Sequence, residues 1–299
     1  MKKTIFTGSG VAIITPFIDG VSIDYPALEK MINYQIENGT DAIIICGTTG
    51  ESSTLSDTEH RNAISFAVKT AAGRIPVVAG TGSNDTAYFL ELSQFAKEAG
   101  VDGILAVTPY YNKCSQEGLI KHFEYVADRV DLPMILYNVP SRTGVNILPE
   151  TCLALSKHPN IVAIKEASGN ISQIMKIAAL CGDDLKIYSG NDDQIVPILA
   201  LGGIGVISVL ANPLPRETHD ICQLWFDGKT EESLALQKAM LPLVEALFCD
   251  VNPIPAKEAM HLLGYCDGSL RLPLTRISGN NAVKLHQEML KLFPNIANA

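Results

Sequence analysis

The sequence predicts a closed (β/α)8 (TIM) barrel with a small C-terminal helical appendage, and three observations predict it. Eight short apolar runs recur up to residue 210, each followed by polar or Gly/Pro punctuation and then a helical pattern. The runs are almost continuously apolar rather than alternating, as parallel strands covered on both faces are. No G-x-G-x-x-G follows the first run, which weakens the alternative of a doubly wound, dinucleotide-binding sheet. At 299 residues the chain has room for a barrel of about 250 residues and an extra segment.

The strands are expected at Val11–Phe17, Ala42–Cys46, Pro76–Gly80, Gly103–Thr108, Pro133–Asn138, Ile161–Lys165, Leu185–Ser189 and Gly205–Leu210. After the first, Asp24-Tyr25-Pro26 supplies a cap and an early proline for a helix whose Leu28, Met31, Ile32 and Ile36 share one face. After the second, Ser56-Asp57-Thr58-Glu59 has the spacing of a capping box. After the third, Phe89, Leu92, Phe95, Ala96 and Ala99 form an apolar stripe that Gly100 stops. Gly202-Gly203-Ile204-Gly205 reads as a turn with tight packing before the last strand. Beyond about residue 225 the strand pattern ends. Helices are expected over 231–248, 254–264 and 280–292, joined by loops containing Asn252-Pro253-Ile254-Pro255 and Arg271-Leu272-Pro273-Leu274. The expected division is a catalytic barrel at 1–225 and a helical domain at 226–299.

Composition narrows the function classes. The 23 basic and 32 acidic residues leave a net charge of −9, with no basic stripe to meet phosphates, so a nucleic-acid partner is not expected. The seven cysteines are odd in number and contain no C-x-x-C pair, which suits reduced thiols in the cytoplasm. The six histidines show no metal-ligand spacing, so no metal site is expected. The start of the chain lacks the apolar core of a signal peptide, and no stretch approaches the roughly 20 apolar residues of a membrane span. A soluble cytoplasmic protein is expected.

Chemistry in such a barrel gathers at the C-terminal ends of the strands. The sixth run ends in Lys165, where partial desolvation favours the neutral amine that can attack a carbonyl. The second ends in Gly47-Thr48-Thr49-Gly50-Glu51-Ser52, whose glycines and hydroxyls can form a carboxylate nest. The fourth ends in Thr108-Pro109-Tyr110-Tyr111-Asn112, and the fifth in Tyr137-Asn138-Val139-Pro140-Ser141-Arg142-Thr143-Gly144. Phenols can pass protons, and an arginine can clamp a carboxylate. Gly190, after the seventh, allows close approach. Taken singly, each feature has a structural reading: a snorkelling lysine, a Gly/Thr turn, tyrosines that pack and reach water. Together they suit carbon–carbon bond formation through an enamine better than hydrolysis or hydride transfer.

Four of these segments, Gly47-Thr48-Thr49-Gly50-Glu51, Tyr110-Tyr111-Asn112, Tyr137 to Gly144 and Ile164-Lys165-Glu166, resemble the dihydrodipicolinate synthase family, in order and spacing, from Phe6-Thr7-Gly8 to Leu272-Pro273-Leu274. The resemblance implies that Lys165 forms an imine with pyruvate, without cofactor or metal, and that the derived enamine adds to L-aspartate 4-semialdehyde. It implies a proton relay of Tyr137, Thr48 and Tyr111, with Tyr111 reaching in from a neighbouring subunit of a homotetramer built as a dimer of dimers. It also implies that Arg142 binds the semialdehyde carboxylate, that the Thr48-Thr49 backbone binds the pyruvate carboxylate, and that Gly190 and the Ile207 carbonyl line the pocket. Ser52, His60, Asn84 and Tyr110 stand where some members bind lysine as an inhibitor. Asp57 and Tyr88 replace the histidine and glutamate of lysine-sensitive members, which implies weak or absent inhibition. Lys113-Cys114 departs from the usual proline and implies a looser loop. The alternatives are a sibling pyruvate aldolase acting on N-acetylneuraminate or a 2-keto-3-deoxy sugar acid, and a non-catalytic barrel. Arg142 suits a short anionic aldehyde better than a polyol.

Overall fold

In the computed structural model, which describes residues 2–296, eight parallel strands close into a barrel. Met1 and residues 297–299, the outer ends of the two expected domains, lie outside the described residues. The strands are β1 (Gly8–Ala12), β2 (Ala42–Ile45), β3 (Val77–Gly80), β4 (Gly103–Val107), β5 (Met134–Asn138), β6 (Ile161–Glu166), β7 (Lys186–Ser189) and β8 (Gly205–Ser208). Closure falls on β1, whose Gly8 to Val11 pair with Gly205 to Ser208 on one side while Gly10 to Ala12 pair with Ala42 to Ile44 on the other.

This seam corrects the expected first strand. Val11–Phe17 is the more apolar run, but Pro16 can donate no ladder hydrogen bond, and Phe17–Ile18 turns away into a short hairpin with Ser22–Ile23. The strand instead begins at Gly8, where the backbones approach too closely for side chains. A Cβ on Gly205 would lie 1.9 Å from the Gly8 carbonyl oxygen. Other strand ends shift as well, those of β2 and β4 by one residue, to Ile45 and Val107. β8 stops at Ser208 instead of Leu210, and β6 continues through Glu166, so Lys165 lies within the strand rather than ending it.

The helices after the strands are α1 (Tyr25–Glu37), α2 (Asp57–Ala71), α3 (Thr86–Ala99), α4 (Gln116–Ala127), α5 (Pro149–Leu155), α6 (Ile171–Cys181), α7 (Ile195–Ala200) and α8 (Pro215–Phe226). Their ends follow local chemistry. Asp24 accepts from the Ala27 N–H to cap α1, Ser56 and Glu59 complete a reciprocal capping box on α2, and Gly100 ends α3 at φ 88°. Three further helices, α9 (Thr230–Leu247), α10 (Ile254–Leu262) and α11 (Gly279–Leu292), form the C-terminal appendage.

Alternation along the strands sorts side chains into two cores. Ile43, Ile45, Leu136 and Ile164 pack outward against the helices, whereas Ile44, Ile135, Tyr137 and Ala163 face the barrel interior. Tyr188 stacks on Phe6 at 4.4 Å between ring centroids and donates its hydroxyl to the Phe6 carbonyl, filling the interior toward its N-terminal end. Lys165 shares the inward parity of Ala163.

Candidate active site

Lys165 is buried, at 5% exposure, with its amine 4.4 Å from the centroid of the Tyr137 ring. The two residues are direct neighbours across β5 and β6. One position further on, the pair Asn138 and Glu166 locks that register. The Asn138 amide donates to both Glu166 oxygens at 3.1 Å, and the Ser168 N–H donates to one of them at 2.9 Å. Burial pushes the Glu166 carboxyl above its ordinary pKa, with these hydrogen bonds opposing the rise. Among the described residues no carboxylate comes within ion-pair distance of Lys165. Gly190 leaves room for the lysine chain, since a Cβ there would stand 3.1 Å from Lys165 Cε and 2.6 Å from the Ala167 Cβ.

The loop after β2 is compact. Gly50 N–H donates to the Gly47 carbonyl and Glu51 N–H to the Thr48 carbonyl, both at 3.1 Å, while Cys46 and Glu51 hold positive φ of 56° and 52°. The Thr48 and Thr49 N–H groups donate to no described protein acceptor. Two successive donors of this kind are the chemistry by which backbone nests hold anions. Thr48 and Tyr137 line one void of about 40 Å³, together with Cys46, Gly47 and Gly80.

A larger cavity of about 390 Å³ runs outward from Thr48. Arg142 and Thr143 line it, together with Ser52, His60, Tyr88 and Tyr110. Arg142 lies exposed on the single helical turn Pro140–Thr143 and donates to the Asn252 carbonyl at 3.0 Å. The His60 imidazole bonds the Gly80 carbonyl at 2.8 Å, and burial lowers its pKa. Asn84 is not brought into this cavity; its amide donates to the Tyr110 carbonyl, and it lines a neighbouring surface depression. Tyr111 is also apart from the site within this chain, 90% exposed at a φ of 69°. Ile207 is fully buried in the interior core.

Sequence reasoning passed over three residues that the fold brings to the site. Asn252 donates its amide to Thr49 Oγ1 at 3.0 Å from a loop read only as a connection. Lys257, fully buried, pairs with Glu51. Asp192 is buried, with one oxygen accepting from the Val209 and Leu210 N–H groups, so it ties the β7 loop to the end of β8. The available signal for Lys257 was weak, a Lys257-Glu258 pair between the apolar residues Ile254-Pro255-Ala256 and Ala259-Met260.

A family model for the Dihydrodipicolinate synthetase family matches residues 5–291. The chain belongs to this family. A 4-hydroxy-tetrahydrodipicolinate synthase of Caldicellulosiruptor saccharolyticus is 56% identical over 292 residues, 98% of this chain and 99% of the relative. The crystal structure of dihydrodipicolinate synthase from Aquifex aeolicus superposes with a TM-score of 0.95 at 46% identity, covering 98% of this chain and 100% of that one. A structure described as the first monomeric dihydrodipicolinate synthase variant superposes at 0.93 with 42% identity, covering 96% of each chain. The activity is therefore that of a lyase, the synthesis of 4-hydroxy-tetrahydrodipicolinate, and not the sibling aldolase reaction.

Proposed function

We propose that the chain condenses pyruvate with L-aspartate 4-semialdehyde through an imine on Lys165. The neutral amine adds to pyruvate C2, and loss of water leaves the imine, with the proton transfers carried by Tyr137 and Thr48. Loss of a C3 proton gives the enamine, whose C3 forms the new bond to the aldehyde carbon. The semialdehyde amino group then attacks the imine carbon, closing the ring and releasing the Lys165 amine. The imine is itself the electron sink, so the chemistry calls for neither cofactor nor metal. The Thr48 and Thr49 N–H groups hold the pyruvate carboxylate, Gly190 and the Ile207 carbonyl line the pocket, and Arg142 takes the semialdehyde carboxylate.

The observation that carries this reading is the buried Lys165 amine over the Tyr137 ring, in a barrel whose neighbouring loop presents two unengaged N–H groups. Borohydride reduction in the presence of pyruvate should fix a pyruvate-derived adduct on the peptide carrying Lys165. An unmodified peptide by mass analysis would refute the proposal. Barrel residues up to about 225 supply the reacting groups, and the later helices brace them. The exposure of Tyr111 supports a role across a subunit boundary in a homotetramer built from pairs. A cytoplasmic setting is supported by seven cysteines that are all free thiols. Among the described residues, no helix is long and apolar enough to cross a membrane.

A further inference from the structure

We propose that Asn252 is a positioning residue for the pyruvate carboxylate nest, delivered to the barrel mouth by the C-terminal appendage. This rests on the reading of Thr48 and Thr49 as that nest. The Asn252 side chain is buried and donates to Thr49 Oγ1 at 3.0 Å. Thr49 is 2% exposed, so this bond fixes the residue whose N–H completes the nest. The opposite end of the same five-residue loop is held from the same segment. Lys257, one turn into α10, forms a buried ion pair with Glu51, and the Arg271 N–H donates to the second Glu51 oxygen at 3.2 Å. The barrel itself adds one further tie, from the Thr15 hydroxyl to the Gly50 carbonyl at 2.6 Å. A loop of this kind has no ladder to hold it, and a shift of about 1 Å in a binding group can cost about a hundredfold in rate.

Asn252 acts on the two carboxylate sites through different atoms. Its side chain reaches Thr49, whereas its main-chain carbonyl receives Arg142. Removing the amide therefore loosens the nest and leaves the Arg142 contact standing. Its Oδ1, buried without a partner, contributes nothing that the substitution would lose. The two substrates should thus respond unequally, which a general loss of folding would not produce.

The test is the pyruvate dependence of borohydride trapping at Lys165, alongside steady-state KM values for both substrates, in Asn252→Ala and Asn252→Ser. The expected result is a pyruvate half-saturation raised about tenfold. The semialdehyde KM should stay within about twofold and the melting temperature within a few degrees. Asn252→Ser, a smaller perturbation of the loop, decides the case if the alanine variant does not fold. Unchanged pyruvate half-saturation in a folded variant would overturn the inference, as would equal increases in both KM values. Failure of the wild-type chain to trap pyruvate would instead refute the underlying reading of the site.

Discussion

A methyl group at residue 190 would stand 3.1 Å from the Lys165 side chain, closer than an ordinary carbon contact. The Ala167 Cβ, at 2.6 Å, and the Glu166 carbonyl oxygen, at 3.1 Å, would crowd the same methyl group. Gly190→Ala should therefore displace the amine and slow borohydride-trapped adduct formation by about a hundredfold, while pyruvate in excess should not restore the rate. Normal trapping kinetics would show that the lysine adjusts freely. This crowding could not be read from the sequence, because it depends on how β6 and β7 align. The sequence showed only that a glycine follows the strand. The same limit hid the Asn252–Thr49 contact, which joins residues 203 positions apart. Lys165 itself was legible because one charge within an apolar run is conspicuous. Free lysine should be a poor inhibitor of this chain. Asp57, which could have replaced the missing glutamate, is already engaged: Arg61 donates to it at 2.8 Å and the Tyr88 hydroxyl at 3.0 Å. Those donors hold its carboxyl below the ordinary range, and burial with the Asp57 bond pushes the Tyr88 phenol up to about 12. Millimolar lysine should leave turnover nearly unchanged, and a strong reduction in initial rate would contradict that.

At the scale of elements, α3 and α4 meet around a buried histidine whose protonation links packing to pH. The His122 Nδ1 bonds the Thr86 hydroxyl at 2.8 Å, its ring lies against Phe89 and Phe123, and its Nε2 is buried without a partner. Burial lowers its pKa from 6.5 to about 4. The sign follows from linkage. Below about pH 6.5 the unfolded chain takes up this proton, whereas the folded chain resists until about pH 4. Acidification through that window should remove on the order of 3 kcal/mol of stability. Glu166 and Asp192, raised by burial, act in the opposite direction, so the informative quantity is the difference between wild type and His122→Leu. The drop in melting temperature from pH 7 to pH 5 should be several degrees smaller in the variant; equal drops would mean that His122 does not titrate in this window. The helices themselves were legible through caps and apolar stripes, because those signals are local. The first strand was misplaced because its Gly8-Ser9-Gly10 start is dictated by the closure of the barrel on β8 and β2, which no local pattern encodes.

For the whole molecule, the decisive question is whether a single chain holds a complete site. Lys165 adjoins Tyr137 and Thr48 lines a void with that tyrosine inside one barrel, but Tyr111 projects into solvent at 90% exposure, and an exposed phenol can carry no proton for a buried amine. Its loop is held in that projection by positive φ at both Tyr111 and Lys113 and by the bond from the Asn112 amide to the Asn84 carbonyl. Such a projection makes sense if the loop enters the partner's site across a two-fold axis, where each chain gives what it receives. Subunit mixing tests this directly. Tyr111→Phe should be nearly inactive because its loop no longer serves the partner, and Lys165→Ala because it forms no imine. In a hybrid dimer, the chain that keeps Lys165 would receive Tyr111 from the lysine-less chain, giving one complete site and one doubly defective one. Equal mixing after dissociation and reassociation should therefore restore about a quarter of the wild-type activity, since half of the dimers are hybrid and half of their sites are whole. Activity that stays at the level of the separate variants, with hybrids demonstrated by native mass analysis, would place Tyr111 outside the relay and make each barrel catalytically self-sufficient.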